Sequence, residues 1–129
     1  IQTEDTIREV GEQIIVVTGH SAERGVPALL MGAKGYVSSM ESQVMGHEAI
    51  QMYDLVQQSK VDEARALQLR TLELDHRMRQ IGTFPANLKA AMNLLGRNGG
   101  YPRRPLLPLS TEQMEDVKGV LEGLNLLDT

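Results

Sequence analysis

The sequence has 129 residues and no cysteine. That excludes disulfides, thiolate zinc sites and a cysteine nucleophile. Aromatic side chains make up only 3%, so stacking platforms for bases or sugars are nearly absent. No run of about 18 apolar residues occurs, and no membrane span is expected. No charged and apolar leader of the secretory type opens the chain, so a cytoplasmic location is expected. Positive charge is also short: Lys plus Arg is 13 against 17 for Asp plus Glu, a net charge of -4. That leaves no electrostatic footprint for a nucleic-acid partner. Neither HExxH nor GxSxG occurs, and there is no internal repeat or low-complexity tract. His20, His47 and His76 lie far apart, so structural or exposed roles are expected and no metal site. No cofactor is expected either.

What is present suffices for a core. Hydrophobic residues are 41% of the chain, above the range of disordered sequences. The length allows one domain or part of a larger one. The chain opens on Ile1 rather than Met, as a processed or truncated product would.

The composition changes near residue 45. Thr3 is placed to cap a short helix, with Glu4 and Asp5 in its first turn, Ile7 and Val10 buried, and Gly11 ending it. Ile14-Ile15-Val16-Val17 is a β-branched run that reads as a strand buried on both faces. Pro27 to Met31 reads as a short helix, with Pro27 in its first turn. Tyr36 to Ser39 is a second short strand candidate. This order of helix, strand, helix, strand predicts a parallel α/β arrangement. Gly19 and Ser38 are then expected at the same end of two adjacent strands.

From residue 45 the period is helical. Met45, Ala49, Met52, Tyr53 and Val56 form one apolar stripe, and Leu67, Thr71, Leu74, Met78 and Ile81 form another. Pro85 opens a third helix with Leu88, Ala91, Met92 and Leu95 on one face, and Gly96 stops it. A Gly/Pro-rich connector follows. Ser110 and Gln113 fit a capping box ahead of a last helix carrying Met114, Val117, Leu121 and Leu124.

Thr18-Gly19-His20-Ser21 follows a strand, where parallel α/β folds bind ligands. The alternative is an ordinary turn with Ser21 as N-cap. Val37-Ser38-Ser39 ends the next strand, with Glu41 nearby; Ser38 either faces a site or bonds local backbone. Lys34, Lys60, Lys89 and Lys118 all fall outside the strand candidates and are expected in solvent. A Schiff-base lysine must be desolvated to lose its proton near neutral pH. Arg103 and Arg104 sit in the connector, away from any phosphate-type loop.

Several segments together resemble one family. Val16-Val17-Thr18-Gly19 and Met31 to Ser38 resemble the last two barrel strands of the dihydrodipicolinate synthase/N-acetylneuraminate lyase family. Phe84-Pro85-Ala86-Asn87-Leu88-Lys89-Ala90-Ala91 resembles its helix after the barrel. Gly96 with Arg103-Arg104-Pro105-Leu106-Leu107-Pro108-Leu109, and then Leu124 to Leu127, resembles its late connector and ending.

The resemblance implies the last two strands of a (β/α)8 TIM barrel, an incomplete barrel, followed by a C-terminal helical extension. Residues 1–44 would be the last β/α units. Residues 45–129 would be the final barrel helix and the C-terminal helical region. It also implies class I aldolase chemistry, in which a lysine forms a Schiff base with pyruvate or another 2-oxo acid for condensation, cleavage or dehydration. A barrel takes about 250 residues. On the family pattern the lysine lies just before Ile1, and the relay tyrosine and carboxylate-binding loop lie earlier still. The chain is therefore expected to be a C-terminal fragment, inactive alone, with no catalytic residue of its own. Gly19, Val37 and Ser38 would form the wall around the bound 2-oxo acid, and His20-Ser21 stands where members often carry acidic or amide residues. A homo-oligomer is expected. The competing expectation is a non-catalytic assembly module that pairs with a complementary half or with itself.

Overall fold

The computed structural model describes residues 2–127. Ile1, and the last two residues of the 45–129 region, lie outside the described residues. The order is α1 (Gln2–Val10), β1 (Val17–Thr18), α2 (Ser21–Leu30), β2 (Gly35–Tyr36), α3 (Met40–Val44), α4 (His47–Gln57), α5 (Val61–Arg79), α6 (Ala86–Leu94) and α7 (Thr111–Gly123). The chain is mostly helical, with one small sheet.

The two strands pair in parallel, Val17 against Gly35 and Thr18 against Tyr36. The ladder continues past both ends: Lys34 N–H donates to Val16 O at 2.9 Å and Val37 N–H to Thr18 O at 2.8 Å. Gly19 and Ser38 therefore follow the same ends of adjacent strands. The first strand is not buried on both faces as its sequence predicts. Ile14 is 57% exposed and Ile15 79%. Of the β-branched run only Val17 is paired, and among the described residues the two-stranded sheet is packed on by α2 and not by a further strand beside Ile14 and Ile15.

Three helix starts also differ from expectation. Thr3 lies inside α1, not at its cap, and Ile7 and Val10 are only half-buried. α3 brings helix in by Met40, earlier than residue 45, because Met40 and Val44 reach the main core. α2 begins at Ser21, so Pro27 sits inside it rather than in its first turn. An interior proline removes a helix hydrogen bond and crowds the preceding turn. Here Gln68 of α5 stands beside that turn. Val26 N–H donates to Gln68 Oε1 at 2.7 Å, and Gln68 Nε2 donates to Ser21 O at 2.9 Å and to Ala22 O. Gly25 makes the approach possible: a Cβ there would lie 3.2 Å from Gln68 Oε1 and 2.9 Å from Met52 Cε.

Beyond residue 45 the apolar periods hold. α5 is the central helix and packs against α2, α3, α4, α6 and α7. Its Thr71, Leu74 and Met78 are fully buried, and Leu74 and Met78 join Val117, Leu121 and Leu124 in the main core. A smaller cluster of Val26, Met52, Leu55 and Ala64 seals α2 against α4 and α5. Gly96 follows α6 at φ +69°, a left-handed value that favours glycine. The capping box is formed: Gln113 N–H donates to Ser110 Oγ at 3.2 Å and Ser110 N–H to Gln113 Oε1 at 3.0 Å.

Tyr36 links the sheet to α4. Its hydroxyl donates to Ala49 O, and its ring meets Tyr53 edge-on with centroids 6.4 Å apart. Burial pushes the phenol up to about 12. An unfolded tyrosine titrates near 10. The folded state then holds a proton that the unfolded chain has lost, so stability is present below pH 10 and falls as pH rises toward 12. Urea midpoints at pH 8 and pH 11 check this. Wild type should lose more stability between them than Tyr36→Phe; equal losses would contradict it.

Candidate functional site

The carboxyl ends of β1 and β2 open on one cavity of about 380 Å³. Gly19, His20, Ser21 and Ala22 reach it from the β1–α2 side. Val37, Ser39, Met40 and Glu41 reach it from the β2–α3 side. Asp75 and Arg79 of α5, with Phe84 and Asn87 at the start of α6, close the rest.

The turn after β1 is tight. His20 takes a left-handed backbone, φ 53° and ψ 55°, uncommon for a residue with a Cβ. It precedes the first residue of α2, so Ser21 is not the N-cap. The Ser21 hydroxyl instead donates to Glu41 Oε1 at 3.0 Å.

Glu41 is the buried centre of the site, only 4% exposed. A buried carboxylate needs hydrogen-bond partners. Besides Ser21, Ser38 Oγ and Ser39 N–H both donate to its Oε2 at 3.2 Å. One side chain thus ties together the loops that leave both strands. In the sequence Glu41 stands close to Ser38, with nothing nearby to show that it ties the two loops together. The signal was the Ser38-x-x-Glu41 spacing, which resembles a helix-start pattern.

Asp75 and Arg79 are one turn apart on α5. Arg79 Nε contacts Asp75 Oδ2 at 2.7 Å, and a terminal nitrogen contacts Glu23 Oε1 at 3.1 Å. The Asp75 carboxylate raises the Arg79 guanidinium above its already high value. Asn87 is committed to backbone: it donates to Met78 O at 2.9 Å and accepts from Leu88 N–H at 2.8 Å.

Of the three wall residues predicted from sequence, Gly19 and Val37 line this cavity. Ser38 does not. It supports Glu41 from behind and faces a smaller hollow of about 270 Å³ with Tyr36 and Tyr53. No lysine lines the cavity among the described residues. Lys34, Lys60 and Lys118 are exposed. Lys89 is half-buried rather than free in solvent, because its Nζ donates to Gly99 O at 2.7 Å. His20, His47 and His76 are exposed, and no group of three His, Cys, Asp or Glu is placed to hold a metal among the described residues. Nor is any described helix long and apolar enough to cross a membrane.

A cavity at the carboxyl ends of parallel strands is the arrangement by which α/β folds bind ligands. The dihydrodipicolinate synthetase family matches residues 1–124, and the chain belongs to it. The 4-hydroxy-tetrahydrodipicolinate synthase of Archaeoglobus fulgidus is 31% identical over 98% of this chain and 43% of its own length. That of Brachyspira hyodysenteriae is 35% identical over 78% of this chain and 33% of its own length. Among solved structures, a dihydrodipicolinate synthase superposes with a TM-score of 0.83 at 28% identity, covering 98% of this chain and 42% of that one. N-acetylneuraminate lyase from Fusobacterium nucleatum gives 0.81 at 26% identity, covering 98% and 42%. The chain thus spans about two-fifths of the length of the proteins it matches.

Proposed function

We propose that this chain supplies the closing β/α portion of a Schiff-base lyase or synthase acting on pyruvate or another 2-oxo acid. In this reading β1 and β2 are the last two strands of a (β/α)8 barrel. Residues 1–44 belong to its last β/α units, and residues 45–129 to the final barrel helix and a C-terminal helical region. Gly19 and Val37 wall the 2-oxo acid, and Ser38 holds that wall through Glu41. The complete enzyme works in the cytoplasm as a homo-oligomer.

The observation that carries the reading is the shared cavity at the ends of two parallel strands, in a chain matched by the family almost throughout. The lysines support the division of labour. A nucleophilic lysine needs desolvation near the reacting carbonyl. Lys34 precedes β2, at the opposite end from the cavity. Lys89 is held by Gly99 O. The Schiff-base lysine then comes from the remainder of the barrel, as do the groups that bind the carboxylate. This chain contributes a wall, its shape and its hydrogen-bond acceptors.

The test is pyruvate with borohydride on the complete enzyme. The expected result is one reduced adduct, mapped by peptide mass to a lysine outside residues 1–129. An adduct on Lys34, Lys60, Lys89 or Lys118, or none at all, would overturn the proposal.

A second reading, an assembly module without catalysis, draws on the apolar side chains beside the sheet. Ile14, Ile15, Val17 and Val37 are each more than half exposed. Such a surface attracts a complementary partner. Both readings call for a second body across these strands; trapping decides between them.

A further inference from the structure

We propose that Asn98 is a latent deamidation site, and that Asn93 keeps it closed by holding the backbone N–H of Gly99. The site lies in the connector after α6, away from the cavity, and does not depend on the lyase reading.

The sequence supplies the reactive pair. Of Asn87, Asn93, Asn98 and Asn125, only Asn98 is followed by glycine; the others are followed by leucine. Asparagine is among the thermolabile residues. A glycine nitrogen has no side chain beside it and the widest backbone freedom, so it can approach the amide carbon of the preceding asparagine. In the reaction the Gly99 nitrogen loses its proton and bonds to Asn98 Cγ. The Cγ–Nδ2 bond breaks and ammonia leaves with that proton, closing a succinimide ring. Water then opens the ring at either carbonyl, giving aspartate or its β-linked isomer at position 98. Asn98 is exposed, so water is at hand.

The structure holds that nucleophile back. Gly99 N–H donates to Asn93 Oδ1 at 3.0 Å and to Arg97 O at 2.9 Å. Asn93 Oδ1 also accepts from Gly100 N–H at 3.1 Å, and Asn93 Nδ2 donates to Gly100 O at 3.0 Å. Lys89 Nζ donates to Gly99 O at 2.7 Å. Side chains of α6 therefore pin each successive peptide group from Asn98 to Tyr101. The fit is close: Gly99 is buried, and a Cβ there would overlap Lys89 O. Attack on Asn98 requires the Gly99 N–H to leave both acceptors and its peptide plane to turn, and the packing against Lys89 opposes that turn. Asn93 is exposed and sits in the last turn of α6, so the lock opens by local fraying and not only by global unfolding. The β-linked product lengthens the main chain just before Gly99, where Lys89 O leaves no space, so the modified loop does not reseat.

The experiment follows Asn98 by peptide mass in the complete enzyme at mildly alkaline pH, folded and in urea. In urea Asn98 should deamidate far faster than Asn87, Asn93 or Asn125. In the folded enzyme Asn98 should react about tenfold or more slower than in urea, the factor expected when a nucleophile must first break its hydrogen bonds. Asn93→Ala should speed the folded enzyme's reaction by about tenfold. Asn93→Asp keeps an acceptor for both N–H groups and should stay near wild type. Lys89→Met frees Gly99 O but leaves the N–H held, and should accelerate the reaction less than Asn93→Ala. Circular dichroism shows whether each variant is folded when assayed, and the comparison of folded wild type with urea needs no variant. Equal rates for wild type folded and in urea, or no reaction at Asn98 in urea, would overturn the proposal. So would a folded Asn93→Ala that reacts no faster than wild type. Equal acceleration in Asn93→Ala and Asn93→Asp would show a merely loosened loop, and would overturn the role given to the Asn93 acceptor.

Discussion

Leu74→Ala should destabilise the fold by about 3–5 kcal/mol, the range for emptying a fully enclosed leucine site. Leu74 is 0% exposed and lies on α5, the helix that most of the others pack on. Its neighbours in the core include Met78, Val117 and Leu121, which come from α5 and α7. Collapse of the cavity would require those helices to shift together, so relaxation is limited. Domains of this size hold a total stability of about 5–15 kcal/mol, and the loss is therefore a large share of the whole. Urea unfolding followed by circular dichroism measures it. Leu69→Ala on the same helix, at a side chain 59% exposed, is the control and should change stability by less than about 0.5 kcal/mol. Equal effects at the two positions would contradict the described core.

Gln68→Leu should cost about 2–4 kcal/mol, although it replaces a polar side chain with an apolar one of similar size. The residue is 7% exposed, and its amide reaches α2 as well as Thr71 Oγ1 on its own helix at 3.3 Å. Without its amide, Val26 N–H and the carbonyls of Ser21 and Ala22 lose partners in a dry position. Leaving a buried polar group unpaired costs about 1–3 kcal/mol. In an undisturbed helix Ala22 O and Val26 N–H would serve each other. A measured cost below about 1 kcal/mol would show that they do so once Gln68 is gone, and that the α2 turn does not depend on α5.

This pair of positions also shows what could be read from the sequence. Leu74 was legible because a helix buries one face at a fixed period, and the spacing of Leu67, Thr71, Leu74, Met78 and Ile81 is local information. The same holds for Ser110 with Gln113, whose cap is made within a few residues. The start of α2 was not legible. Gly25 and Pro27 disfavour helix locally, and the compensating group, Gln68, is 42 residues from Val26. The exposure of Ile14 and Ile15 was missed for a related reason. A β-branched run reports that a strand can be buried, and burial itself depends on what lies across it. At the site, the strand-end position of Gly19 and Ser38 was legible, whereas Val37 entered with Ser38 only as what the family resemblance implies. Glu41 did not, because its role depends on Ser21, 20 residues away, meeting it across the two loops. Asp75 and Arg79 read as ordinary charges on a helix face until α5 is placed against the strand ends.

The measurement closest to the central claim uses residues 1–129 alone, incubated with pyruvate and borohydride and weighed intact. The mass should be unchanged. Among the described residues no lysine lines the cavity, and a 2-oxo acid there would not be held beside one, so the effective concentration that drives Schiff-base formation is lost. Stoichiometric, rapid gain of a reduced pyruvate adduct on Lys34, Lys60, Lys89 or Lys118 would contradict it, because the chain would then carry the nucleophile as well as the wall.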